Sequence, residues 1–298
     1  MQGHMVYRAP GFEAGQPTGR APCAGHRIRW EANRIVSGQI DTIKQGACEM
    51  REFDRDLLPP EQFQIMRYSE RAFQAVGRNH ANYFINELGL KPTDHVLEIG
   101  SGNGRIASAL AGYLEGGSYT GAEIMEPFVE WCQTTYRHYP NFTFQHIDVY
   151  NKHYNPSSST HACDFRFPFD DNTFDFIYLT SVFTHMHAKD VDNYLSEIHR
   201  MLKPGGTVFI TYFLIDEATK AQIESGESRR KFRLFEEHSY TDNPRKPEAA
   251  IAFDIQFIRS LYERNKLKIV DVSLGKWRSP EKEKHIGHNQ DRVVARKG

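Results

Sequence analysis

The sequence predicts an α/β fold, a doubly wound parallel sheet with helices on both faces, preceded by a helical N-terminal extension. Three observations carry this prediction. From residue 92 onward, short apolar runs alternate with amphipathic stretches. The first run ends in a glycine-rich turn, Gly100-Ser101-Gly102-Asn103-Gly104. A later run, Phe174–Thr180, is almost continuously apolar, as expected of a parallel strand covered on both faces.

The 298 residues suffice for one large domain with an extension. Residues 1–58 read as a flexible arm and extension. Met1 to Met5 is set aside as a tag remnant, and the stretch from Ala9 to Gly25 is too rich in Pro and Gly to bury much surface. No apolar core follows a basic start, so no secretory signal is read. Residues 59–90 read as a helical cap. Pro60 can open a helix, and Phe63, Met66, Phe73, Val76, Tyr83, Phe84 and Leu88 recur at helical spacing. The interruption near Gly77 predicts two helices. Residues 91–298 then form the main domain.

In the main domain, His95–Ile99 is the first strand, and Ile106, Leu110, Tyr113 and Leu114 share one helical face. Ser118–Ala122 is strand-like, Pro127 opens a helix through Arg137, and Phe142–Ile147 is the third strand. A Ser-rich tract marks 151–164 as a loop. Val191, Tyr194, Leu195, Ile198 and Leu202 form a helical stripe that Pro204-Gly205-Gly206 ends. Val208–Leu214 is a strand, Ile251, Ile255, Ile258 and Tyr262 mark a late helix, and strands follow near 268–274 and 292–295.

The glycine turn lets backbone approach a ligand, because no Cβ intervenes. It is not a dinucleotide fingerprint, since Arg105 stands where the third glycine is needed, and it lacks the Gly-Lys-Ser/Thr of a nucleotide triphosphate loop. Glu98 at the end of the first strand would repel a pyrophosphate and suit a cation-bearing ligand. Glu123 ends the second strand, where a carboxylate binds a ribose diol. Asp148, beside Val149, follows the third strand, where it can accept from an adenine amine while the adjoining backbone meets the ring edge. Three acids at three successive strand ends share one crevice.

These residues resemble a class I S-adenosylmethionine-dependent methyltransferase. The similarity rests on Val96–Arg105, Glu123, Asp148, Phe167–Asp175, Ser181–Met186 and Leu202–Gly206, and is closest to small-molecule enzymes of the ubiquinone/menaquinone-biosynthesis type. It implies a seven-stranded, mostly parallel sheet with one antiparallel strand near the C-terminus. It also implies S-adenosylmethionine as cofactor, with Gly100, Ser101, Gly102 and Gly104 at its methionine part. Ile124 would then pack on adenine, and Thr180 and Ser181 would line the sulfonium end. Arg105 would approach the cofactor carboxylate or lie in solvent. Glu123 departs from the commoner Asp with the same chemistry and a longer reach.

For a hydroxyl acceptor a base must receive the proton, and His185, just past the fourth strand, is the candidate; the alternative is a helix-capping or substrate-orienting role. No metal is expected. The pair His185 and His187, with His153, His161, and the later His285 and His288, matches no recognised ligand spacing. The charged, aromatic segment 216–250 is expected to cover the acceptor as a lid.

The charges nearly cancel, 37 basic against 38 acidic residues, which argues against a general nucleic-acid binder. No run reaches the length of a membrane span. Cys23, Cys48, Cys132 and Cys163 are scattered, which places the chain in a reducing, cytoplasmic setting. The expected partner is a small-molecule acceptor, methylated on a hydroxyl of a natural product, sugar or lipid-like compound. Nitrogen or carbon acceptors and a non-catalytic cofactor-binding role are the alternatives. An oligomer is open but unsupported, and a nicotinamide dehydrogenase is disfavoured by Arg105 and Glu98.

Overall fold

The structure is a computed structural model that describes residues 53–63, 69–278 and 288–298. The arm to residue 52, Met66 and His285 lie outside the described residues.

Seven strands form the main sheet: β1 (His95–Ile99), β2 (Ser118–Glu123), β3 (Phe142–His146), β4 (Phe174–Leu179), β5 (Leu202–Tyr212), β10 (Leu267–Ser273) and β11 (Asp291–Lys297). Their order is β10-β11-β5-β4-β1-β2-β3. All neighbours are parallel except those of β11, which runs antiparallel to β5 and β10. The chain winds from β1 outward through β2 and β3, then returns to start again at β4. Between β1 and β4 the winding reverses, and in such sheets the crevice at the strands' carboxyl ends binds ligands.

Strand alternation divides the core. Leu97, Ile99, Ile177, Leu179, Val208 and Ile210 face one cluster, completed by α4 (Ala188–Met201) and α6 (Ile255–Arg264). Val96, Tyr119, Phe176, Tyr178 and Phe209 face the other, completed by α1 (Glu70–Asn86), α2 (Ala107–Leu110) and α3 (Glu126–Thr135). Both faces are buried, so the strands read as apolar runs rather than alternating ones.

Several expected elements differ. Leu202 opens β5 instead of closing the preceding helix, β5 runs through Pro204-Gly205-Gly206, and Leu214 leaves β5 for a separate short strand. The break at Gly77 does not occur: α1 is continuous and is capped by Ser69, whose hydroxyl accepts the Ala72 N–H. Gly77 is there because α1 crosses the backbone of Arg105 so closely that a Cβ would collide with the Arg105 carbonyl. Ile251 belongs to strand β9 (Ile251–Asp254), and the late helix starts only after Asp254, which caps it by accepting the N–H groups of Gln256 and Phe257.

Residues 214–254 build a second sheet of β6 (Leu214–Ile215), β7 (Arg233–Glu236), β8 (Ser239–Thr241) and β9, in the order β6-β9-β8-β7, with α5 (Glu217–Glu224) between β6 and β7. It has its own small core of Phe213, Ile215, Phe232, Ala250, Ala252 and Trp277. Asp291, at the start of β11, ties it to the main sheet. The buried carboxylate accepts from Leu214 N at 2.7 Å, Gly275 N at 2.7 Å, Trp277 Nε1 at 2.9 Å and Arg278 Nε at 3.1 Å.

Gly77→Ala tests the packing of α1. Helix propensity alone would favour the substitution by about 1 kcal/mol. The collision with Arg105 should reverse the sign and cost ~1–3 kcal/mol, read as a lower urea midpoint.

Candidate functional site

The glycine turn is bent by necessity. Gly100, Gly102 and Gly104 have φ of 79°, 51° and 73°, a region that L residues seldom occupy. A Cβ on Gly100 would lie 2.5 Å from Val182 Cγ2, so the turn also passes directly beneath the segment that follows β4. Gly100 N donates to Ala122 O at 2.7 Å, which straps the turn to β2. Ser101 is buried, and its Oγ has no hydrogen-bond partner.

Glu123 completes the strap. It is only 6% exposed; its Oε2 accepts Gly102 N at 2.7 Å and its Oε1 accepts Met125 N at 3.0 Å. Burial raises its pKa, while the N–H groups of Gly102, Met125 and Ile124 oppose the rise. Ile124 is half-buried beside it. Asp148 is exposed beyond β3, with one carboxylate oxygen accepting Asn155 Nδ2 at 3.0 Å and its carbonyl accepting Ser158 Oγ at 3.1 Å. The loop 151–164 thus folds back to orient Asp148. Val149 is buried and its N–H donates to Ile147 O at 3.0 Å, so this donor is already engaged in a tight turn.

Glu98 requires a correction. It does not present a negative charge to the crevice. Alternation turns it onto the α1 face, where it is 2% exposed. Its Oε2 accepts the hydroxyls of Tyr119 at 2.5 Å and Tyr178 at 2.8 Å. Burial pushes the carboxyl up to about 8, against the opposing effects of the two phenols and Arg105. At neutral pH it is mostly protonated, and it supports the turn from beneath. Half-buried Arg105 lies on this same side, where its charge also acts on His80.

Past β4, Thr180 is half-buried and Ser181 exposed, with φ of 59°. Ser181 N donates to Thr211 Oγ1 at 2.7 Å and its hydroxyl donates to Gln290 Oε1 at 3.0 Å. His185 Nδ1 lies 2.7 Å from the Glu248 carbonyl. A carbonyl only accepts, so Nδ1 carries the proton and neutral His185 keeps its lone pair on Nε2. Burial lowers its pKa; the Glu248 carbonyl opposes this, and Arg230 and His153 add to it. The Tyr154 ring meets His185 edge-on at 6.0 Å. Capping of the next helix falls to His187 instead, whose N–H donates to Asp190 Oδ2 at 3.2 Å.

The structure therefore joins the glycine turn, Glu123 and Ile124 at one crevice, with Asp148 beyond the neighbouring strand and Thr180, Ser181 and His185 following β4. Among the described residues no group of three His, Cys, Asp or Glu is placed to hold a metal. Sequence reasoning missed Asn103, whose Nδ2 donates to Phe63 O at 3.0 Å and draws residues 61–63 to the turn. It also missed Glu248 and Glu236; the latter lies 3.2 Å from His187 Nδ1. Neither contact has a local sequence signal, because each joins distant segments.

Fold and site together define a Rossmann-like domain whose crevice lies at the carboxyl ends of β1, β2 and β4. Residues 97–210 match the family model described as a methyltransferase domain, within a sheet of Rossmann-like strand order. It is 30% identical over 146 residues to a sterol 24-C-methyltransferase of Schizosaccharomyces pombe, covering 49% of this chain and 34% of the relative. The corresponding Saccharomyces cerevisiae enzyme is 29% identical over 143 residues, covering 47% and 33%. The chain thus spans about a third of the length of these relatives. The PH0226 protein of Pyrococcus horikoshii shares the fold, with a TM-score of 0.53, 14% identity, and coverage of 79% of this chain and 95% of that one. No helix among the described residues is long and apolar enough to cross a membrane.

Glu98 makes a pH prediction. The unfolded carboxyl ionises near 4.5 and the folded one near 8. Between these values the native state holds a proton that the unfolded chain has lost. Stability contributed by this group therefore falls as pH rises through that window and levels off above it. The upper bound is on the order of 5 kcal/mol. Glu98→Gln should show a flatter melting temperature between pH 5 and 8.5 than the wild type, measured by scanning calorimetry.

Proposed function

We propose that this chain transfers a methyl group from S-adenosylmethionine to a hydroxyl of a small-molecule acceptor. The reading rests above all on the buried Glu123 carboxylate at the end of β2, joined directly to the backbone of the glycine turn. A carboxylate and a cramped run of left-handed glycines at one sheet edge suit a nucleoside with hydroxyl donors. The unpartnered Ser101 Oγ within the turn adds a polar group that a ligand can satisfy.

Bound S-adenosylmethionine supplies a methyl group on a positively charged sulfur. The chain's own part is to hold, orient and exclude water. Glu123 would hold the ribose diol, exposed Asp148 the adenine amine, and Ile124 a face of the ring. Gly100, Gly102 and Gly104 admit the methionine part, and Thr180 and Ser181 border the reacting end. His185 is the base. Its tautomer is held by the Glu248 carbonyl, and its lowered pKa keeps Nε2 ready to receive the acceptor proton at neutral pH. The reading includes a cytoplasmic setting, and a non-catalytic role is its rival.

A second reading is methylation at carbon, which the names of the sterol 24-C-methyltransferase relatives favour. Attachment is told apart by the carbon-13 shift of the transferred methyl group in the product.

Calorimetry with S-adenosylhomocysteine tests the first step. Wild type should bind, and Glu123→Ala should lose at least tenfold in affinity; an unbound wild type rejects the reading. His185→Ala should lower kcat about 100-fold or more with cofactor affinity unchanged. A parallel loss of both removes the base assignment.

A further inference from the structure

On the α1 face of the sheet, near the carboxyl end of β5, a guanidinium stands with two neutral imidazoles and no carboxylate beside it. Arg292 stands beside Thr211 in the β11–β5 ladder, and Thr211 is the residue that holds the Ser181 N–H. Its guanidinium carbon sits 4.7 Å over the Tyr83 ring and 5.8 Å over Phe209. Its Nε is buried without a hydrogen-bond partner. Among the described residues no carboxylate lies within 4.0 Å of it.

Two histidines stand close by. His80, on α1, meets Phe209 edge-on at 6.4 Å, and its Nδ1 donates to Val76 O at 2.9 Å. His288 precedes Gln290, the residue that accepts from Ser181, and its Nδ1 donates to the Gln290 carbonyl at 2.5 Å. Burial lowers the pKa of both; Arg292 acts further on both, Arg105 on His80, and Lys276 on His288. The opposing acid is Asp271, which is exposed and already accepts Ser273 Oγ at 2.7 Å. A half-buried guanidinium that meets the ring and hydroxyl of Tyr83 rather than a carboxylate leaves a charge for a ligand to neutralise.

We propose that Arg292, with His288 and His80 beside it, forms a binding site for the carboxylate of a ligand in the crevice. Only the identity of the ligand rests on the methyl-transfer reading. The carboxylate belongs either to the amino-acid end of the methyl donor or to the acceptor, and the two are separable by experiment.

Calorimetry on the 298-residue wild type, Arg292→Lys and Arg292→Gln would compare S-adenosylhomocysteine with 5′-methylthioadenosine, which lacks the amino-acid end. If the donor supplies the carboxylate, Arg292→Gln weakens S-adenosylhomocysteine tenfold or more and leaves methylthioadenosine unchanged. Arg292→Lys should recover part of the loss. If the acceptor supplies it, both nucleosides bind as before, while benzoate binds the S-adenosylhomocysteine-saturated wild type and not Arg292→Gln. Equal behaviour of the wild type and Arg292→Gln toward all three probes overturns the site. A wild type that binds neither nucleoside rejects the methyltransferase reading alone, and benzoate binding to the ligand-free protein then decides the site. Should the variants misfold, an NMR titration of His288 in the wild type decides. A bound carboxylate must raise its pKa, and no rise on saturation with S-adenosylhomocysteine or benzoate rejects the proposal.

Discussion

The bond from Gly102 N–H to the Glu123 carboxylate is the contact on which the crevice depends. Three left-handed glycines leave a turn with little stiffness of its own, and they lack side chains with which to pack. Rigidity has to come from neighbours. Glu123 holds the turn from β2, the Ala122 carbonyl receives the Gly100 N–H, and the Tyr136 hydroxyl donates to Gly104 O at 3.0 Å. From below, the Glu98 carboxyl and its two phenols fill the space under the end of β1. The buried Glu123 carboxylate tolerates its low-dielectric position because backbone N–H groups satisfy it.

The second sheet is the main structural addition to this frame. Its segment is too charged to read as a core, yet Phe213, Ile215, Phe232 and Trp277 suffice to organise it. Asp291 and Arg278 lock it against β11 through a buried pair that also reaches Asp216 and the Leu214 carbonyl. The consequence for the site is that Glu248, and with it the tautomer of His185, is set by an ordered element rather than by a wandering loop.

Much of the main sheet was legible because parallel strands buried on both faces leave continuous apolar runs, and β4 is the clearest of them. The positions of the glycine turn and Glu123 at the ends of β1 and β2, and of Asp148 two residues past β3, were legible because the alternation marks those strands. Gly77 was misread since a glycine that breaks a helix and one that admits a crossing backbone look alike in one chain. Glu98 was misread for a different reason. Tyr119 and Tyr178 count as apolar in a pattern, but their hydroxyls turn a face of the core into a site for a protonated carboxyl. The partners of His185, and the gathering of His80, His288 and Arg292, depend on contacts between segments remote in sequence, which no local pattern encodes.

The electrostatics of the crevice follow from that arrangement. With Glu98 protonated and buried, the acidic character belongs to Glu123 and Asp148, at the β2 and β3 ends. Arg105, Arg292, His80 and His288 lie on the α1 face, toward β5 and β11. On the proposed reading, a ligand placed across the switch point would meet hydrogen-bond acceptors at one end and the Arg292 guanidinium, flanked by neutral imidazoles, at the other. Such a gradient would orient a molecule that carries donor hydroxyls and an amine at one end and a carboxylate at the other, and it would disfavour the reversed pose by setting the carboxylate against the acids. Because the two ends are supplied by opposite halves of the sheet, the orientation is a property of the strand order itself. Exchanging single residues should weaken one end without moving the other.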